Sequence, residues 1–137
     1  MNRADELRAC VLLPSYNNSG TVGQVVDSLV DAGYKVIAVN DGSTDGTGDV
    51  FAGRKEKLSA LISYSKNRGK GYALASGLKK ANELGFALAI SIDADGQHTL
   101  QCIDNMVNAE KNMSSENPII VGSRGMRGRA GKRKVAN

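Results

Sequence analysis

Short apolar runs alternate along this chain with stretches whose apolar residues recur at helical spacing. That alternation restricts the fold more than any other feature. Cys10-Val11-Leu12-Leu13 reads as a buried strand ended by Pro14. Val22, Val25, Val26, Leu29 and Val30 then fall at i, i+3, i+4, i+7 and i+8, one apolar stripe of a helix that Ser19 can cap and Gly33 can stop. Lys35-Val36-Ile37-Ala38-Val39 is a second strand, followed by a glycine-rich turn and a weaker helix over about 46–57. Leu61-Ile62-Ser63-Tyr64 is a third strand, residues 70–84 a helix stopped by Gly85, 86–92 a fourth strand, 99–112 a fourth helix, and Pro118-Ile119-Ile120-Val121 a fifth strand. Strands joined through helices of this length predict an α/β fold with a mainly parallel sheet between helices.

The bulk numbers fit one domain. A chain of 137 residues, 41% apolar, is long enough to bury a core and too apolar for disorder. No apolar run reaches the roughly 18–20 residues that span a bilayer. The N-terminus, Met1-Asn2-Arg3-Ala4-Asp5-Glu6, lacks a signal-peptide core. Cys10 and Cys102 sit in apolar contexts without metal-ligand spacing and read as buried free thiols of a reducing, cytoplasmic compartment. The net charge of +4 is uneven: 122–137 holds Arg124, Arg127, Arg129, Lys132, Arg133 and Lys134 and no acid. This sets 122–137 apart from a domain over 1–121 as a basic, mobile segment. It is a solvated tail, or it contacts anionic lipid or a diphosphate. No aromatics interleave with its cations, so nucleic acid is not the expected partner.

Parallel sheets of this kind bind ligands beyond the carboxyl ends of their strands, where strand order reverses. The polar clusters of this chain fall at those ends. After the fourth strand comes Asp93-Ala94-Asp95-Gly96-Gln97-His98, two carboxylates one residue apart leaving an apolar run. Two such carboxylates repel unless a cation sits between them, and hard divalent cations take oxygen ligands while keeping substrate phosphates as others. The alternative is a turn that caps the next helix. An EF-hand loop does not fit, because His98 stands where its glycine belongs, and no Walker-type or G-x-G-x-x-G phosphate loop occurs.

After the second strand, Asp41 can accept hydrogen bonds from a base or ribose, or it can be a turn residue like Ser43 and Asp45. Tyr16 can stack on a base or pack over its loop. Asn67-Arg68-Gly69-Lys70-Gly71 opens a helix whose amides and cations, Lys70 among them, attract phosphate, or it is an ordinary helix start.

With these pieces in place the chain resembles the N-terminal, nucleotide-sugar-binding half of a family 2 glycosyltransferase, in its dolichyl-phosphate mannosyltransferase-like group. The resemblance rests on Val11-Leu12-Leu13-Pro14-Ser15-Tyr16-Asn17, Val39-Asn40-Asp41-Gly42-Ser43-Thr44-Asp45-Gly46-Thr47, Asn67-Arg68-Gly69-Lys70-Gly71, Asp93-Ala94-Asp95-Gly96-Gln97-His98 and Gly122-Ser123-Arg124, in family order and spacing. It implies the GT-A fold, a Rossmann-like three-layer α/β/α sandwich, here truncated. It also implies a hexosyltransferase of glycan or glycolipid biosynthesis that takes sugar from a UDP- or GDP-linked donor, with inversion, to a lipid phosphate or glycan. Pro14, Tyr16, Asn18 and Asp41 would contact the nucleoside. Asp93, Asp95 and Gln97 would hold Mg2+ or Mn2+, and Arg124 would reach the phosphates or sugar. The chain departs from the family at Asn40-Asp41, where two aspartates are common. The acceptor-binding half and the catalytic base are expected beyond Asn137. Membrane-surface contact through the basic segment, at the cytoplasmic face, follows from the same resemblance. The rival reading is a non-catalytic nucleotide-binding or membrane-associating module. A sugar nucleotidyltransferase would need a G-x-G-x-R loop where Ser15-Tyr16-Asn17 stands.

Overall fold

A computed structural model describes the backbone of residues 8–94, 100–109, 119–123 and 130–133. Its strands are β1 (Ala9–Ser15), β2 (Lys35–Asp41), β3 (Ala60–Tyr64), β4 (Leu88–Ser91), β5 (Ile119–Ser123) and β6 (Ala130–Arg133). Its helices are α1 (Val22–Asp31), α2 (Thr47–Ala52), α3 (Lys70–Glu83) and α4 (Leu100–Ala109), with a 3-10 turn at Lys55–Lys57. The sheet runs β3-β2-β1-β4-β5-β6. The first five strands are parallel, and β6 lies antiparallel to β5. Strand order therefore reverses between β1 and β4, the crevice where such sheets receive ligands.

Alternation along β1 sorts the core into two layers, because successive side chains point to opposite faces. Ala9, Val11 and Leu13 join Val36, Ala38, Leu88 and Ile90 beneath Val22, Val26 and Leu29 of α1, Phe51 of α2, and Ile103 and Val107 of α4. Cys10, Leu12, Ile37 and Ala89 face the other way, beneath Leu78 and Ala81 of α3. The result is the expected helix–sheet–helix sandwich. Gly77 lets α3 settle closely: a Cβ there would lie 3.4 Å from the Leu12 and Val39 methyls. Cys10 is buried among these side chains, and burial pushes its thiol up to about 12, so it behaves as an apolar residue.

The glycine stops at Gly33 and Gly85 are as expected. Both have positive φ, and the next N–H reaches back to close the helix, Tyr34 to the Leu29 carbonyl and Phe86 to the Ala81 carbonyl, each at 3.0 Å.

Several boundaries differ from expectation. Pro14 does not end β1, which continues through Ser15 opposite Val39 and Asn40. The Leu12 carbonyl accepts from Ile92, so Leu12 and, two residues on, Pro14 turn their backbone groups toward β4. Registered pairing with β4 stops at Leu12 opposite Ser91, so the N–H that proline lacks has no strand partner to lose there. Ser19 does not cap α1. Thr21 holds the cap position without a side-chain cap bond, and the Asn18 carbonyl receives the Thr21 and Val22 amides at 3.0 and 2.9 Å. The weak helix over 46–57 splits into α2 and the 3-10 turn. The segment set apart as 122–137 supplies the end of β5 and the whole of β6. Ala130-Gly131-Lys132-Arg133 shows no apolar alternation by which a strand could be read. Among the described residues, no helix is long and apolar enough to cross a membrane.

Candidate functional site

Three loops at the carboxyl edge of the sheet are bound to one another before any ligand is considered. Asn17 has a left-handed φ of 55°. Its side-chain oxygen accepts the amides of Thr44 at 2.8 Å and Asp45 at 3.3 Å, and its own amide donates to the Ser43 hydroxyl. Asp45 accepts the Thr47 hydroxyl at 2.6 Å, the Thr47 amide at 2.9 Å and the Ser19 amide at 3.2 Å. These donors, the Thr47 hydroxyl foremost, hold the Asp45 carboxyl down at about 2. The loops after β1 and β2 thus form one unit. Asn40, the departure from the family pattern, works inside it, accepting from the Ser43 amide and donating to the Ser63 hydroxyl at 3.2 Å each.

Asp41 fastens the third loop. The sequence left it either a contact to a base or ribose or a turn residue. It is 3% exposed. Its Oδ1 accepts the Arg68 amide at 2.8 Å, and its Oδ2 accepts the Gly69 amide at 3.1 Å and the Asn67 side-chain amide at 3.0 Å. A buried carboxylate needs such donors, and here they come from the loop that starts α3. Gly42 permits the approach. Its φ is +67°, and a Cβ there would sit 2.2 Å from the Asn67 nitrogen. Gly69, with φ of +96°, turns the chain into α3. Tyr64 lies alongside. Burial first, then the Asp41 charge, raises its phenol above the ordinary range.

Between these loops and the end of β4 lies a cleft of about 380 Å³. Six of the expected site residues line it: Pro14, Tyr16, Asn18, Asp41, Lys70 and Asp93. Asp95, Gln97 and Arg124 lie outside the described residues. Tyr16 is 46% exposed, an aromatic surface open at the cleft. Asn18 faces the cleft but spends its side-chain oxygen on the Ser15 hydroxyl at 3.0 Å and the Tyr16 amide at 3.1 Å. At the other end, the Lys70 ammonium is hydrogen-bonded to Asp93 Oδ1. The Thr21 hydroxyl donates to the Ala94 carbonyl at 2.6 Å, holding the backbone between the two aspartates of the pair against the start of α1. No sequence pattern flagged Thr21, and Asn67 was read only as part of a helix opening, because each acts on a residue far along the chain.

The cleft therefore has an aromatic and amide end at β1–β2 and a charged end at α3–β4. Among the described residues no group of three His, Cys, Asp or Glu converges. The residues that the resemblance implies as ligands, Asp93, Asp95 and Gln97, all offer oxygen, and only Asp93 lies among the described residues. That chemistry fits a hard divalent cation.

Known proteins share this fold. The profile of glycosyl transferase family 2 matches residues 10–135. A UDP-N-acetylglucosamine–dolichyl-phosphate N-acetylglucosaminyltransferase of Methanococcus voltae is 33% identical over 129 residues, which cover 83% of this chain and 51% of that protein. S. aureus TarS 1-349 in complex with UDP-GlcNAc superposes with a TM-score of 0.57 at 22% identity, over 74% of this chain and 31% of that one. The mannosyltransferase PcManGT from Pyrobaculum calidifontis, in complex with GDP-Man and Mn2+, gives 0.57 at 24% identity, over 77% and 32%. The chain thus spans about half the length of the curated relative and about a third of each solved chain. The two solved structures share its fold, the GT-A arrangement. With a family profile that runs along nearly its whole length, the chain belongs to glycosyl transferase family 2.

Proposed function

We propose that the cleft binds the donor of a sugar transfer, a UDP- or GDP-linked sugar, and that the protein passes this sugar with inversion to a lipid phosphate or glycan. The observation that carries the reading is the two-ended cleft. Tyr16 and Pro14 line the end suited to a nucleoside, and Lys70 and Asp93 line the end suited to a diphosphate with its cation. Tyr16 offers a ring for the base to stack on. Asn18 and Asp41 shape the wall beneath the nucleoside, Asp41 with its carboxylate already committed to the 67–69 loop. Lys70 supplies a cation toward the phosphates. Asp93, Asp95 and Gln97 would hold Mg2+ or Mn2+, which when bound neutralises charge building on the leaving diphosphate. Arg124 would add a second positive charge there. The acceptor oxygen would attack the anomeric carbon from the face opposite the leaving group.

The supporting comparisons are relatives of that chemistry: one named for transfer to dolichyl phosphate, others solved with UDP-GlcNAc or with GDP-Man and Mn2+. In this reading 1–121 is the donor-binding unit of a glycan or glycolipid pathway enzyme. The basic residues of 122–137 meet anionic groups, the donor's phosphates or lipid at the cytoplasmic face of a membrane.

A thermal-shift panel of UDP-, GDP- and dTDP-sugars, with and without Mn2+, tests the proposal. A ligand at 100 times its Kd should stabilise by about 2.7 kcal/mol. The cognate donor should do so only with Mn2+ present, and Asp95→Ala should abolish the shift. No shift with any nucleotide-sugar would overturn the reading. A shift without sugar transfer by the full-length protein would favour the non-catalytic module.

A further inference from the structure

We infer that Lys70 is an internal counter-ion standing in for the divalent cation, so that cation and donor diphosphate are taken up together and not cation first. This rests on the reading of the cleft as a donor site. Lys70 is the first residue of α3, and its ammonium bridges the cleft to Asp93 just beyond β4. The first turn of α3 contains no acid. A lysine at the positive end of a helix dipole is there against the local electrostatic preference. A carboxylate facing it across the cleft compensates. The position is not accidental slack in a loop, because Asp41 pins the two preceding amides, Arg68 and Gly69.

The Lys70 side chain is 51% exposed and that of Asp93 26%. The ammonium sits on a flexible four-carbon stem with three donors and no acceptor. A divalent cation arriving alone at Asp93 meets that ammonium, and like charges at such range repel. A diphosphate brings several negative oxygens, to which lysine is a suited point charge. The exchange would conserve ion pairs: Lys70 would leave Asp93 for a phosphate oxygen, and Asp93 would help to hold the cation that arrives with the diphosphate. Lys70 is thus a positioning and selecting residue. It suppresses cation binding until the correct polyanion is present.

Binding of Mn2+ alone, followed by the electron paramagnetic resonance signal of the free ion, tests this on the 137-residue chain. Lys70→Met should bind Mn2+ without nucleotide about three- to fivefold more tightly than wild type, the scale of a part-exposed ion pair. Lys70→Arg, which keeps the charge, should stay near wild type. With Mn2+ saturating, Lys70→Met should bind UDP and GDP about tenfold more weakly by calorimetry, having lost a cation to phosphate. If wild type takes up Mn2+ with UDP or GDP, yet Lys70→Met binds Mn2+ alone no more tightly, the counter-ion role is wrong and the donor site stands. If neither protein takes up Mn2+ even with UDP or GDP, the donor-site reading falls and this inference with it.

Discussion

Asp41 shows how one buried side chain can set the geometry of a cleft wall. Its carboxylate holds the Arg68 and Gly69 amides and the Asn67 side chain, and so sets where Lys70 begins. Asp41→Ala should leave those donors unsatisfied, costing about 2–4 kcal/mol of stability, and donor affinity should fall with it. Urea unfolding and calorimetry on the same variant check this. Lost nucleoside binding at unchanged stability would mean instead that Asp41 meets the base directly. Asp45 carries a pH prediction. Its folded carboxyl, held at about 2, lies below the unfolded value, so the fold prefers the charged form. The stabilisation is complete above the unfolded value of about 3.9 and is lost as pH falls through the folded one. A carbon-13 titration of the Asp45 carboxyl should give a midpoint near 2, and Asp45→Asn should remove that part of the acid sensitivity. A midpoint at the ordinary aspartate value would show that the bond to Thr47 is not held in solution.

At the scale of elements, glycines divide into those that a contact requires and those that nothing requires. Gly42→Ala puts a Cβ 2.2 Å from the Asn67 backbone at a φ of +67°, with no flexible neighbour to yield. It should destabilise by about 3 kcal/mol or more and loosen the cleft. Gly71, in the first turn of α3, has open space around a Cβ and no positive φ. Gly71→Ala should stabilise by about 0.4–1 kcal/mol. Thermal unfolding of the two variants checks both, and equal effects would refute the distinction. The same contrast explains what could be read from the sequence. The stops at Gly33 and Gly85 and the apolar stripe of α1 are local patterns, visible in a few residues. The extent of β1 past Pro14 depends on where β4 ends, and the start of α1 is set in a loop whose Ser19 amide is tied to Asp45, on another loop. β6 exists because β5 offers it an edge. Such facts belong to pairs of distant segments, and single-segment patterns do not hold them. The site divides likewise: its location at the carboxyl edge was legible, whereas Asp41's inward allegiance was not.

In the whole molecule, the sandwich places every loop of the cleft at one edge of the sheet, and the sheet order does this with a single reversal beside β1. Binding should therefore be felt by both halves of the sheet, since Pro14 to Asn18 and Asp93 to Ala94 flank the same cleft from neighbouring strands. The reversal also sets a schedule. β1 leaves a ribosome before β2, which follows it closely. Its other neighbour, β4, pairs Leu88 with Ala9 and Ile90 with Val11, and is made some eighty residues later. At about 5–20 residues per second that gap lasts about 4–16 s. For that interval β1, joined in turn by β2 and then β3, keeps its other apolar strand edge unzipped, the kind of surface that recruits a holding chaperone or pairs with a neighbouring polysome product. The crevice that would receive the donor is, during synthesis, a seam that stays open until β4 is made.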